Sequence, residues 1–313
     1  MKRFDVVALG EILIDMTYAG KSEGGQTLFE QNPGGAPANV LAAVQRCGGK
    51  TAFIGKVGND MHGDFLRMTL EKEGICTEGM VVDESVFTTL AFVSLNESGE
   101  RSFSFARKPG ADTCLSFAEV KQEFIQNTKI FHVGSLSLTD EPAKTATIRA
   151  LEMAKTCNCI VSYDPNYRAS LWHNEADAIK GMRSILSYVD VIKISDEETE
   201  LLTGEKDIYA ASQILQDCGI KVVIITMGKD GAIVRTKDGV IHSPAAAEKV
   251  VDTTGAGDAF MGGFLWQLAK SGKACSAVTL EDIQNFADFA NRVSGFCVGK
   301  RGAICAMPYE NQL

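Results

Sequence analysis

An α/β fold, with helices on both faces of a mainly parallel sheet, is the architecture this sequence predicts. Three observations carry that expectation. From residue 116 onward, short apolar runs alternate with longer helical ones. Such a rhythm calls for right-handed crossovers, which leave the strands parallel. A polar glycine turn, Asp252-Thr253-Thr254-Gly255-Ala256-Gly257-Asp258, runs straight into the apolar stretch 259–266; this reads as a loop entering a buried helix near Gly255. The chain has 313 residues, of which 45% are hydrophobic, enough for one large α/β core. No internal repeat, low-complexity tract or linker divides it, so we expect a single domain over 1–313.

The elements follow in chain order. Phe4-Asp5-Val6-Val7-Ala8-Leu9-Gly10 reads as a buried strand. Residues 11–15 continue it and place Asp15 at or just beyond its end. Gly20-Lys21-Ser22 matches the tail of a P-loop, but Asp15 stands in place of the first glycine and no helix-forming run follows Ser22, so that motif carries little weight. Asn32-Pro33-Gly34-Gly35-Ala36-Pro37-Ala38-Asn39 is a second glycine-rich turn. Val40, Leu41, Ala43 and Val44 then predict a helix ending near Gly48-Gly49. Two glycines ahead of a helix let the backbone approach a small polar ligand closely. An ordinary tight turn, with Asn39 as a local hydrogen bonder, would use the same residues. A strand over 51–57 and a helix over 63–72 follow, with Gly74 as the C-cap.

The middle of the chain changes character. Residues 88–95 and 101–107 flank Asn96-Glu97-Ser98-Gly99, which predicts a hairpin with Phe103 and Phe105 on one face. Two strands alone are marginal in water. The hairpin therefore needs the main domain, a ligand or a second subunit, and together with 25–31 it could form a small outer sheet. We expect lid segments over roughly 16–32 and 86–110. Strands are predicted over 129–133, 159–163, 189–194 and 221–226, and helices over 142–155, 175–187 and 208–216. The chain closes with a helix over 280–297 and the turn Gly299-Lys300-Arg301-Gly302-Ala303.

Composition narrows the function. The formal charge is 31 − 40 = −9, which argues against a nucleic-acid or anionic-membrane partner. Nine cysteines are scattered without a zinc or CxxC spacing, which suggests reduced thiols and a cytoplasmic location. Met1-Lys2-Arg3 begins like a signal peptide, but Asp5 and Glu11 interrupt the apolar run, and no stretch reaches the roughly 18 apolar residues of a membrane span.

The chemistry concentrates at the Gly255 turn. The first amides of a helix lack partners within it and attract anions. Gly255 and Gly257 would let a phosphate approach the backbone. Asp258 in the first turn could take a proton from an alcohol while those amides hold the developing charge. It could equally do no more than complement the helix dipole. Polar groups also follow several strands: Asp164-Pro165-Asn166-Tyr167-Arg168, Ser195-Asp196-Glu197-Glu198 and residues 226–231. In an open parallel sheet, ligands bind at the carboxyl ends of the strands.

These residues, in this order, resemble the ribokinase-like (PfkB) sugar and nucleoside kinases. The two glycine turns look like the family's two signatures, and the match runs nearly end to end. Within the family the chain is most similar to bacterial and plant fructokinases, through residues 33–39, 101–107, Pro109-Gly110-Ala111-Asp112, Leu171-Trp172 and 194–198. The resemblance implies a three-layer α/β/α core with a small β-sheet lid, ATP and Mg2+ as co-substrates, and phosphoryl transfer to a primary alcohol, here D-fructose to fructose 6-phosphate.

It also implies roles. Asp258 resembles the catalytic base, and Gly255, Ala256 and Gly257 the anion hole. Asp15, Gly34, Gly35 and Asn39 match positions that hold sugar hydroxyls, with Phe103, Arg107 and Arg168 reaching in from the lid and a strand end. Lys193, Ser195, Thr226, Gly228, Gly231, Gly257 and Asn291 match nucleotide contacts. Glu198 matches the glutamate that orders Mg2+ through water. Ser195 stands where the family has asparagine, which puts a direct contact from position 195 in doubt. Related kinases hold K+ between two segments that correspond here to Asp252, Thr254, Cys297, Lys300, Gly302 and Ala306, mostly through main-chain oxygens; Lys300 or Arg301 could instead neutralise Asp252. Alternatives remain. Arg107 and Arg168 could clamp the carboxylate of 2-keto-3-deoxygluconate, the sugar could be a riboside, or the chain could be an inactive family member with a regulatory role. The apolar lid face predicts a homodimer through the lid sheets.

Overall fold

The computed structural model describes residues 2–95, 101–247 and 249–313. In chain order the strands are β1 (Phe4–Leu9), β2 (Leu13–Lys21), β3 (Thr27–Gly34), β4 (Thr51–Gly58), β5 (Cys76–Asp83), β6 (Leu90–Leu95), β7 (Arg101–Ala106), β8 (Thr128–Gly134), β9 (Ile160–Asp164), β10 (Val191–Ser195), β11 (Val222–Thr226), β12 (Ala232–Thr236) and β13 (Gly239–Ser243). The helices are α1 (Ala36–Arg46), α2 (Met61–Lys72), α3 (Gln122–Gln126), α4 (Ala143–Thr156), α5 (Glu175–Arg183), α6 (Thr199–Thr203), α7 (Ile208–Asp217), α8 (Ala256–Ser271) and α9 (Leu280–Val298).

Among the described residues the strands form two sheets: a nine-stranded one ordered β13-β12-β11-β10-β9-β8-β1-β4-β5, and a four-stranded one ordered β3-β2-β6-β7. β1 lies parallel between β4 and β8. Val6, Val7, Ala8 and Leu9 are all buried, as a strand covered on both faces must be. One apolar cluster packs Val6, Ala8 and Ile224 against Leu41, Phe264 and Ala287 of α1, α8 and α9. The opposite face packs Val7, Leu9 and Val223 against Leu151, Met182 and Leu215 of α4, α5 and α7. This is the three-layer α/β/α core that the resemblance implied.

The structure departs from the sequence reading at several points. Residues 11–15 do not continue β1. The chain leaves the main sheet at Gly10, where a Cβ would approach Pro37 Cγ to 2.6 Å, and Leu13 opens a strand of the small sheet. Asp15 therefore lies inside β2, opposite Asn32 on β3 and Ala91 on β6. Both segments are apolar, so hydrophobicity does not mark the change of sheet. The hairpin finds its partner in β2, which pairs parallel with β6. Its tip, 96–100, and the side chain of Phe103 lie outside the described residues. The helix expected over 175–187 ends at Arg183, and a separate 3-10 turn covers Leu186–Tyr188. β5 and the antiparallel β12–β13 edge pair had no counterpart in the sequence reading. Among the described residues no helix is long and apolar enough to cross a membrane.

Candidate active site

The start of α8 is set by Gly255. Its φ is 76°, and a Cβ there would approach the Ala303 Cβ to 2.8 Å, so only glycine serves both the left-handed turn and the close contact. Asp258 follows in the first turn, buried at 7% exposure. Its Oδ2 accepts from Asn39 Nδ2 at 2.8 Å, joining the two glycine turns. Burial raises the Asp258 pKa to about 6; the Asp164 carboxylate pushes the same way, while Lys193, the Asn39 bond and Arg168 oppose.

Lys193 reaches this turn from β10. Its Nζ pairs with Asp164 Oδ2 at 2.6 Å, and a Cβ on Gly257 would lie 2.8 Å from that nitrogen. Burial works against the Lys193 charge, but Asp164, Glu198 and Asp258 outweigh it and raise the pKa. A buried ammonium thus sits beside the first turn of α8. The other oxygen of Asp164, Oδ1, is buried without a hydrogen-bond partner. Glu198 bridges two strand ends: Oε1 accepts from the Tyr167 amide at 2.7 Å, and Oε2 from the Ser195 amide at 2.8 Å and its hydroxyl at 3.2 Å. Ser195 is therefore engaged with Glu198.

At the first glycine turn, Gly34 and Gly35 are required by close approach. A Cβ on Gly34 would fall on Asp15 Oδ2, and at Gly35, with φ 109°, one would meet the Glu11 carbonyl oxygen at 2.6 Å. Asn39 Oδ1 is buried and has no partner, which leaves an acceptor for a hydroxyl beside Asp258. Arg168 is exposed, with Nη1 on its neighbour's carbonyl, Tyr167 O. Arg107 differs from the expectation that it reaches into the cleft. Its guanidinium is buried, pairs with Asp112 at 2.7 Å and donates to Leu136 O at 2.8 Å.

At the other end, a cavity of about 420 Å³ is lined by Thr226, Gly228, Gly231 and Asn291, and extends to Ala256 and Gly257. Asn291 Nδ2 is held by Ser243. The sequence reading missed Ala245, Ala246, Ala247, Val250, Ser294 and Gly295 in this wall. The one local signal was Gly295 inside a helix: a Cβ there would meet the Ala246 backbone at 2.9 Å. Residues 252–255 and the terminal turn also meet. Asp252 Oδ1 accepts from Thr254, and Oδ2 accepts from the Gly302 amide at 3.1 Å. Asp252 is half-buried. Cys297 Sγ lies 3.9 Å from Thr254 O. Lys300 caps α9 with its amide on Cys297 O, and Ala306 closes the next turn onto Ala303.

Among the described residues no group of three or more His, Cys, Asp or Glu side chains is placed to cage a metal. A cation held here would take most of its ligands from water, substrate or main chain, as Mg2+ and K+ do with oxygen donors. Glu198, already fixed by amides on both oxygens, fits outer contact through water.

Comparison with known proteins gives four findings. The chain matches the model of the pfkB family carbohydrate kinase over residues 3–309. A probable fructokinase-5 of Arabidopsis thaliana is 42% identical over 311 residues, covering 97% of this chain and 94% of its own. Among solved structures, a fructokinase from Xylella fastidiosa with bound ATP superposes with a TM-score of 0.90 at 34% identity, covering 98% of this chain and 96% of that one. A double mutant of the fructokinase from Vibrio cholerae O395, in fructose-, ADP- and potassium-ion-bound form, gives a TM-score of 0.88 at 32% identity, covering 98% and 96%.

Proposed function

This chain belongs to the pfkB family of carbohydrate kinases, and on that premise we propose that it transfers the γ-phosphoryl group of ATP to D-fructose, giving fructose 6-phosphate. The observation that carries the reading is Asp258, buried at the start of α8 and hydrogen-bonded to Asn39, between the sugar-side glycine turn and a cavity that shares Gly257. The fructose named for similar fructokinases supports the choice of sugar.

In this reading Asp258 accepts the proton of the sugar's primary alcohol. Its pKa of about 6 leaves it ionised, yet basic enough to work, near neutral pH. The alcohol oxygen forms the new bond to the γ-phosphorus while the bond to the β,γ-bridging oxygen breaks and ADP departs. Amides of Gly255, Ala256 and Gly257 face the transferred group, and the Lys193 ammonium adds charge stabilisation from beneath Gly257. Asn39 holds the base with Nδ2 and offers Oδ1 to a sugar hydroxyl; Asp15 and the Gly34-Gly35 backbone hold others. The nucleotide lies in the cavity along Thr226, Gly228, Gly231 and Asn291, with Ser195 acting through Glu198. Glu198 would hold Mg2+ through water, and the bound ion would offset phosphate charge. Asp252, Thr254, Cys297, Lys300, Gly302 and Ala306 would supply a K+ site, and a cation there would steady the glycine turn.

The engagement of Arg107 with Asp112 counts against a sugar-acid clamp, since a free guanidinium is what such a clamp needs. The four-stranded sheet serves as the lid. Tyr18, Leu28 and Phe29 on β2 and β3 are 46%, 44% and 40% exposed, which supports a lid-to-lid homodimer. A cytoplasmic location suits the free thiols. The test is ADP release from ATP and Mg2+ with D-fructose, with the product's phosphate located by NMR. Phosphate on O6 is expected; no turnover, or phosphate elsewhere, overturns the reading.

A further inference from the structure

The chain crosses between its two sheets four times: at 10–12, at 34–36, at 84–89 and at 107–110. Buried polar contacts tie the crossings in two pairs, and the two pairs sense each other electrostatically through Glu11, Arg107 and Asp112. Glu11, on the first, accepts from the Ala36 amide on the second through Oε1 at 3.1 Å. Thr89, ending the third, donates its hydroxyl to Asp112 Oδ1. Arg107, on the fourth, donates from Nε to Asp112 Oδ2 at 2.8 Å, and is anchored to the main sheet's β8 loop through Leu136 O at 2.8 Å and Thr139 Oγ1 at 3.0 Å. Glu11, Thr89, Arg107 and Asp112 are 3%, 1%, 7% and 6% exposed.

The charges do not balance. Arg107 pairs with Asp112 and acts on Glu11 only through its field, and Asp140, near the surface, lies 3.8 Å from Arg107 Nη1. Glu11 Oε2 is buried with no hydrogen-bond partner, an exception that calls for a reason. Burial is the main cause that raises the Glu11 pKa to about 7; Asp112 adds to it, and the Glu11 and Ala36 amides and Arg107 oppose.

We propose that Glu11 is a positioning residue: it ties the first crossing to the second and so sets the small sheet and the Gly34-Gly35 turn over the sugar. Protonated Glu11 removes a buried charge that has no ion-pair partner while Oε1 still accepts from the Ala36 amide. Ionised Glu11 adds a second negative charge in a site closed to water, and the crossings loosen. Sugar affinity therefore falls as pH rises through about 7, because Glu11 loses its proton there. The inference rests on reading that turn as the sugar side of the site.

Two variants test it. Glu11→Ala deletes the tie to Ala36. It is expected to raise the sugar KM by tenfold or more, to leave the ATP KM within about twofold, and to speed backbone hydrogen exchange over 13–34 while α8 and α9 stay protected. Glu11→Gln keeps an acceptor but cannot ionise: its sugar KM stays flat from pH 6 to 8, where the wild-type value rises severalfold. Hydrogen exchange needs no substrate, so it reads the tie even if the sugar is not fructose. Unchanged exchange over 13–34, exchange raised equally across the molecule, or a Glu11→Gln profile that follows the wild type overturns the proposal.

Discussion

Replacing Asp258 with asparagine separates chemistry from stability. The side chain keeps its shape, and its amide oxygen can still accept from Asn39 Nδ2, now 2.8 Å from the carboxylate. The proton acceptor is gone. A general base contributes roughly 10²–10⁴ in rate, so kcat should fall by that factor with the ATP KM nearly unchanged. The same substitution should stabilise the fold. The Asp258 pKa stands at about 6 against 3.8 for a free carboxyl, so the folded state binds the proton more tightly than the unfolded chain. The ionised form is therefore penalised: the penalty is absent below pH 3.8, grows as pH rises toward 6, and is complete above it. A shift of about two units at 1.36 kcal/mol each corresponds to about 3 kcal/mol. Asparagine carries no such penalty, so its melting temperature should exceed the wild type's by several degrees at pH 8, and by about half as much at pH 5. Wild-type kcat should fall as pH drops through about 6, where the base is protonated. Steady-state kinetics with thermal melts at the two pH values check both halves. Near-normal turnover refutes the base assignment; an equal gain at both pH values refutes the buried-charge argument.

Two further outcomes follow. Replacing K+ with tetramethylammonium at constant ionic strength should lower kcat/KM, because the cation steadies the segment that Asp252 ties to Gly302; an unchanged value would remove the site. Light scattering at micromolar concentration should give twice the chain mass, and a fully active monomer would show that the exposed Tyr18, Leu28 and Phe29 face has another use.

The two glycine turns were legible because glycine there answers local demands: a left-handed φ at Gly255 and at Gly35, and contact with Asp15 at Gly34. The parallel sheet was legible from its apolar rhythm. The link between Asn39 and Asp258 spans 219 positions, and only the resemblance brought the two into one site. The change of sheet at 10–12 stayed hidden because apolar residues lie on both sides of it. Arg107 read as a free cation, since its pairing with Asp112 depends on the turn after β7. The alanines of the cavity proposed for the nucleotide carry no chemical signal; they line it by being small.

The central claim is the choice of sugar, and kcat/KM across a panel in one coupled ADP assay tests it most directly. D-fructose should exceed 2-keto-3-deoxygluconate and ribosides by tenfold or more. A sugar acid or riboside matching or surpassing fructose, or no turnover with any sugar, would contradict the account.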